Sequence, residues 1–206
     1  MSLSPFVAAA LVLALTPGPG ILYVMARTLS GGKADGLAST LGTATGGLIH
    51  VLVAAVGLSA LLATSARAFL VVKYVGAAYL IFLGVRSLLS ARRQAGSMAL
   101  SPPHGFGKAF REGILTEALN VKTALFFLAF IPQFIDHGLP PAPQFAMLGL
   151  ICVVLNTTVD LIVVAMASRL SGYLRRSPRP AKMMSYGSGV LMLGLGAYIA
   201  GSDTGR

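Results

Sequence analysis

Charge is scarce in this sequence. Asp, Glu, Lys and Arg make up 11% of 206 residues, where a soluble domain carries about 25%. With a hydrophobic fraction of 55% and a mean hydropathy of +0.80, that shortage excludes an ordinary soluble domain. A core of this size cannot hide so much apolar surface, and lipid is the solvent that suits it. Cysteine is nearly absent. Cys152 stands alone, so no disulfide framework forms within the chain, and it reads as a small buried apolar residue of the run 145–167. There is no P-loop, no H-E-x-x-H and no paired cysteine. Ser30-Gly31-Gly32-Lys33 matches S-x-x-K but lies in a hydrophilic connection without partner motifs. Neither a metal nor another cofactor is expected. Without an ATP site, any transport would have to run on an ion gradient.

What the sequence does have is long apolar runs without the strict alternation of barrel strands. Backbone in lipid must satisfy its own hydrogen bonds, so these runs read as helices. Six segments approach the roughly 20 residues a span needs: 4–28, 37–63, 68–90, 112–135, 143–168 and 183–201. The stretch Met1–Leu15 lacks a basic n-region, and its apolar character resumes after Pro19. It therefore reads as part of the first span and not as a signal peptide. The expected fold is an all-α membrane protein of six transmembrane helices in a single domain, 1–206.

Sixteen basic residues against six acidic give a formal net charge of +10. The basic residues fall in connections between apolar runs, which is a topology signal and not a nucleic-acid surface. The first connection carries Arg27 and Lys33. The third carries Arg92 and Arg93, flanked by Arg86, Lys108 and Arg111. The fifth carries Arg175, Arg176, Arg179 and Lys182, with Arg169 at its entrance. The second holds only Arg67, with Lys73 beyond, and the fourth only Asp136 and His137. Odd connections are then cytoplasmic and both termini periplasmic. Three spans per half give halves of opposite orientation, which permits an inverted repeat: about 1–92 and 110–201, joined by 93–109. Each half opens with an interrupted helix, at Pro17 to Gly20 and at Asn120-Val121-Lys122. Interruptions in corresponding positions point to a transport site.

Proline and glycine at 16–20 (Thr16, Pro17, Gly18, Pro19, Gly20) free backbone groups at membrane depth. A half-helix starting after Pro19 would offer its positive end to a carboxylate; a purely structural kink is the plainer alternative. Ionisable residues inside spans are costly and normally face a cavity or one another. Lys122 and Asp160 are the clear cases: they can pair, Asp160 can carry a coupling proton, and Lys122 can meet a substrate carboxylate. Glu117 is a further candidate to carry the proton; the plainer alternative places it near the cytoplasmic end, at the interface. His50, in the second span, can relay a proton or make a structural interhelical hydrogen bond. His104 and His137 give it no metal-ligand spacing. Gly42 and Gly46 form a GxxxG with Gly36 and Gly57 beyond, suited to packing within the chain or to a homodimer. Asn156, Thr157 and Thr158 bring polar groups close to Asp160.

At these residues the chain resembles the LysE/RhtB amino-acid exporters. Thr16-Pro17-Gly18-Pro19 looks like the family signature. The resemblance continues through Gly36, Gly42, Gly46, Gly57-Leu58, Tyr79-Leu80 and Gly84. It resumes at Phe110-Arg111-Glu112-Gly113, Asn120-Val121-Lys122, Ala124-Leu125-Phe126-Phe127 and Pro132-Gln133-Phe134. It covers almost the whole chain. It implies proton-driven amino-acid export from the bacterial inner membrane, with the two interrupted segments lining the substrate path. Where the family usually has Asn-Pro-Lys, this chain has Val121, which implies a milder second interruption. Gly47 with Leu48 leaves the second span without a carboxylate, which favours a small neutral substrate of the homoserine or threonine kind. A lipid-acting membrane enzyme would need a nucleophile, base or metal set that cannot be assembled here. A membrane scaffold would not need Lys122 and Asp160 in the bilayer.

Overall fold

A computed structural model of the chain describes residues 3–58, 105–136 and 138–170. It also describes 70–71, 74–75, 77–78, 81–82, 84–86, 88–89, 186–187, 190, 192–194, 196–197 and 200–201. Among the described residues regular structure is helical, with no strand. Helix α1 spans Leu3–Leu15 and α2 spans Pro19–Val53, prolonged by a π-turn at Ala54–Leu58. Helix α3 spans Phe106–Ala118 and α4 Val121–Ala129, followed by a 3-10 turn at Ile131–Phe134; α5 spans Pro141–Arg169. Two helices, Pro19–Gly57 and Pro141–Arg169, are long and apolar enough to cross a membrane. The bent pair Phe106–Ala118 with Val121–Phe134 makes a third if it counts as one span.

Helix α2 reverses direction within its length. Gly32 has φ +76° and ψ −167° inside the helix, a conformation that a side chain with a Cβ adopts only at a cost. Thr28 packs on Gly36 and Gly20 lies near Thr43. Both pairs are centred within half a residue of Gly32, as in an antiparallel helical hairpin. The limb before Gly32 thus overlaps the apolar segment 4–28, and the limb after it the segment 37–63. Arg27, read from the sequence as a connection residue, is instead buried in the first limb. Its guanidinium lies 5.7 Å from the centre of the Tyr23 ring. The Tyr23 hydroxyl reaches α3, 2.9 Å from the Ala109 carbonyl and 3.1 Å from Glu112 Oε2.

Helix α3 begins at Phe106, so residues 106–109, read as the end of a connection, are already helical. The first turn hides from a search for apolar runs because only one stripe of α3 is buried: Ala109, Gly113 and Glu117. That stripe packs on the second limb of α2. A Cβ at Gly113 would meet the Ser39 carbonyl at 2.7 Å, and one at Gly46 the Ile114 carbonyl at 2.7 Å. The Gly42–Gly46 stripe is therefore used for helix packing inside the chain. A Cβ at Gly42 would press on the Phe110 carbonyl and on Gly113 Cα, 3.0 Å away. Neither is a side chain that can swing aside. Gly42→Ala is expected to cost about 1–3 kcal/mol, seen as lower folded yield and lower thermal stability in detergent; wild-type stability would show that α2 and α3 separate freely.

The second limb of α2 also packs against α5, and α1 packs against α5. Phe6 of α1 stands among Phe126, Phe130 and Phe134, with ring centres 5.3–6.4 Å away. This aromatic cluster fixes α1 against α4. The described positions within 68–90 and 183–201 are helical, and Gly196 sits against Ala77 and Ile81. The basic connections (Arg67, Lys73, Arg92, Arg93, Arg175, Arg176, Arg179, Lys182), Tyr79-Leu80, His104, His137 and both ends lie outside the described residues.

Candidate functional site

Both expected helix breaks are present, and the fold brings them together. At the first, Thr16 precedes Pro17 and Gly18 precedes Pro19, and a residue before proline avoids the helical region. Helix α1 ends at Leu15; Gly18 is extended (φ −137°, ψ −172°) and Pro19 starts α2, a position where its missing N–H costs nothing. The last carbonyls of α1 are thus left without helical partners. At the second break, α3 and α4 meet at 43°. Val121 has not removed this break, because Asn120 caps α4: its Oδ1 accepts the Lys122 amide at 3.1 Å.

The charges of the second break fill the ends of the first. Lys122 is buried, 6% exposed. Its Nζ donates to the carbonyls of Thr16 at 2.7 Å and Leu13 at 3.2 Å. The ammonium therefore caps the negative end of α1, packed against Gly18. Glu117 occupies the opposite end. Its Oε2 lies beside Gly20 in the first turn of α2, where helix amides favour an anion. The carboxylate also accepts from Asn120 Nδ2 at 2.9 Å and Thr123 Oγ1 at 2.6 Å. Glu117 is thus buried at the break, and one reading changes in consequence. The positive end of α2, expected to await a substrate carboxylate, already has a carboxylate beside it.

Lys122 and Asp160 do not form an ion pair, because the α1 carbonyls hold the ammonium. Asp160, 4% exposed, accepts instead from the Thr43 hydroxyl at 2.8 Å. Asn156 and Thr157 lie one turn earlier on the same face of α5. These three residues, with Thr43 and Gly20, line a cavity of about 30 Å³ that Glu117, Asn120 and Lys122 also border. That volume suits about one water molecule. His50 stands apart from the cavity. Its Nε2 lies 2.8 Å from the Glu117 carbonyl, with the ring 5.8 Å from Phe127. A carbonyl only accepts, so Nε2 donates, and the imidazole tethers α2 to the frayed end of α3.

Sequence reasoning missed Thr43 and Thr123. A threonine in an apolar helix commonly bonds its own backbone, and Thr28, Ser39, Thr40 and Thr45 do so. Thr43 differs in having a carboxylate across a helix interface, and Thr123 in having the Glu117 carboxylate across the break. The available signal was the density of hydroxyls in 39–45, which is weak. Among the described residues no cluster of His, Cys, Asp or Glu is arranged to hold a metal ion.

The chain matches the family of LysE type translocators over residues 11–202. It is 33% identical to an uncharacterized membrane protein of Vibrio cholerae over 193 residues, 93% of this chain and 92% of that one. It is 31% identical over 192 residues to a homoserine/homoserine lactone efflux protein of Salmonella typhimurium, 92% of this chain and 91% of that protein. An uncharacterized membrane protein of Bacillus subtilis is 32% identical over 203 residues, 95% and 96% of the two chains. No solved structure matches.

Proposed function

The chain belongs to the LysE-type translocator family of membrane transport proteins, and from that premise we propose that it is a secondary active exporter of small neutral amino acids or their derivatives, of the homoserine or threonine kind, driven by the proton gradient across the bacterial inner membrane. The observation that carries the reading is the cavity where both helix breaks meet beside Asp160. A buried carboxylate with a single side-chain donor among the described residues, Thr43, retains acceptor capacity for a proton or a substrate ammonium. Asn156 and Thr157 can hydrogen-bond a small polar side chain. Substrate and proton would compete for Asp160, which couples their movements.

The reading includes six spans in two inverted repeats, with both ends periplasmic. Opposed repeats can rock about a central site and expose it to each side in turn. In proteoliposomes, labelled homoserine should exchange with internal unlabelled homoserine, and an imposed proton gradient should drive it uphill. Exchange without any response to the gradient would remove the proton, and no exchange with homoserine or threonine would remove the substrate class. A phosphatase fused to the C-terminus should be active; activity only from a cytoplasmic reporter would reverse the topology.

A further inference from the structure

The Thr43 hydroxyl lies between two acceptors. It is 2.8 Å from Asp160 Oδ2 and 3.0 Å from the carbonyl of Thr40 in its own helix. A hydroxyl has one proton to donate and can accept as well. When Asp160 is ionised, Thr43 donates to the carboxylate. When Asp160 is protonated, its own O–H can donate to Thr43 Oγ1, and Thr43 turns its proton to the Thr40 carbonyl. Both charge states are thereby hydrogen-bonded in a site where Thr43 is 5% and Asp160 4% exposed, and an unsatisfied polar group is costly there. The change needs only a rotation about the Cβ–Oγ1 bond, with no heavy atom displaced. Asn156, one turn away on α5, has an amide that offers no such reversal within the same atom.

We propose that Thr43 is a positioning residue for coupling: a reversible donor that follows the proton on Asp160 and links its charge state to the hydrogen bonding of α2. The proposal rests on the reading of Asp160 as the site of proton and ammonium exchange. The other charges around Asp160 are Glu117 from α3 and Lys122 from α4. Both are engaged elsewhere, Glu117 by Asn120 and Thr123 and Lys122 by the α1 carbonyls. Thr43 is the side chain that donates directly to Asp160 among the described residues.

The test uses the full-length chain in proteoliposomes, with labelled homoserine counterflow measured across a pH series. Thr43→Val keeps the shape and removes the hydroxyl; Thr43→Ser keeps the hydroxyl. Thr43→Val is expected to move the pH of half-maximal exchange by about one unit, the scale of one hydrogen bond to a charged group. Thr43→Ser is expected to restore the wild-type profile, and Asp160→Asn to flatten the profile with or without Thr43→Val. Three results would overturn the proposal: an unshifted Thr43→Val profile; a profile that both variants shift alike; or folded protein in which both variants have lost exchange. If Asp160→Asn itself keeps a wild-type profile and pumps uphill, the reading of Asp160 fails, whichever way Thr43 behaves.

Discussion

Asp160→Asn is expected to abolish uphill export while leaving exchange of homoserine at saturating concentration. The amide matches the carboxylate in shape and can still accept from Thr43, so the fold should hold. What it loses is the charge, and with it the ability to bind and release a proton. Uphill export needs the empty carrier to return with a proton in place of substrate; exchange needs substrate on both journeys and no proton at all. A charge-assisted hydrogen bond to the substrate ammonium is worth about 1.5–3 kcal/mol. Half-saturation for exchange should accordingly rise about tenfold to a hundredfold. The measurement is paired: accumulation against a gradient, and counterflow across a range of homoserine concentrations. Normal uphill export by this variant would move coupling away from Asp160, with Glu117 and His50 the next residues to test.

Lys122→Met is expected to cost the protein most of its folded yield. The sequence alone suggests a cation waiting for a substrate carboxylate, and hence a loss of binding. The structure points to a larger effect on folding, because Nζ satisfies the Thr16 and Leu13 carbonyls at the broken end of α1. It also lies close enough to Glu117 and Asp160 to interact with both charges. Removing one partner of a buried charge arrangement costs about 3–5 kcal/mol, a large part of the 5–15 kcal/mol that holds a domain together. The second variant separates the causes. Lys122→Met with Glu117→Gln removes the opposing charge too, and should recover part of the monodisperse yield seen by size-exclusion chromatography in detergent. A Lys122→Met protein with full yield and thermal stability but no substrate binding would return the ammonium to the substrate.

The two breaks, and the residues of the chain that make them, were legible from chemistry that is local. Pro17 and Pro19 cannot continue a helix whatever surrounds them. Asn120 caps a helix through a bond to an amide two residues away, so Val121 in the usual proline position does not abolish the break. Length and apolarity likewise identified the long helices, because a backbone in lipid has few other ways to satisfy itself. The amphipathic start of α3 was not legible as an apolar run, since Lys108, Arg111 and Glu112 interrupt it and only Ala109, Gly113 and Glu117 are covered.

Which charge meets which partner was a different kind of question. The sequence determined that Glu117, Lys122 and Asp160 would lie in apolar segments and must find compensation there. It could not pair them. Lys122 and Asp160 looked like natural partners by sign alone, yet the ammonium goes to α1 carbonyls more than a hundred residues earlier, and Asp160 goes to Thr43, 117 residues away in sequence. Coulomb attraction between opposite charges does not depend on where they fall in the sequence, whereas a hydrogen bond acts within about 3 Å. Only the packing of α4 against the end of α1, and of α5 against the second limb of α2, brings those donors and acceptors within that distance, and so only the tertiary structure decides which of them is bonded to which.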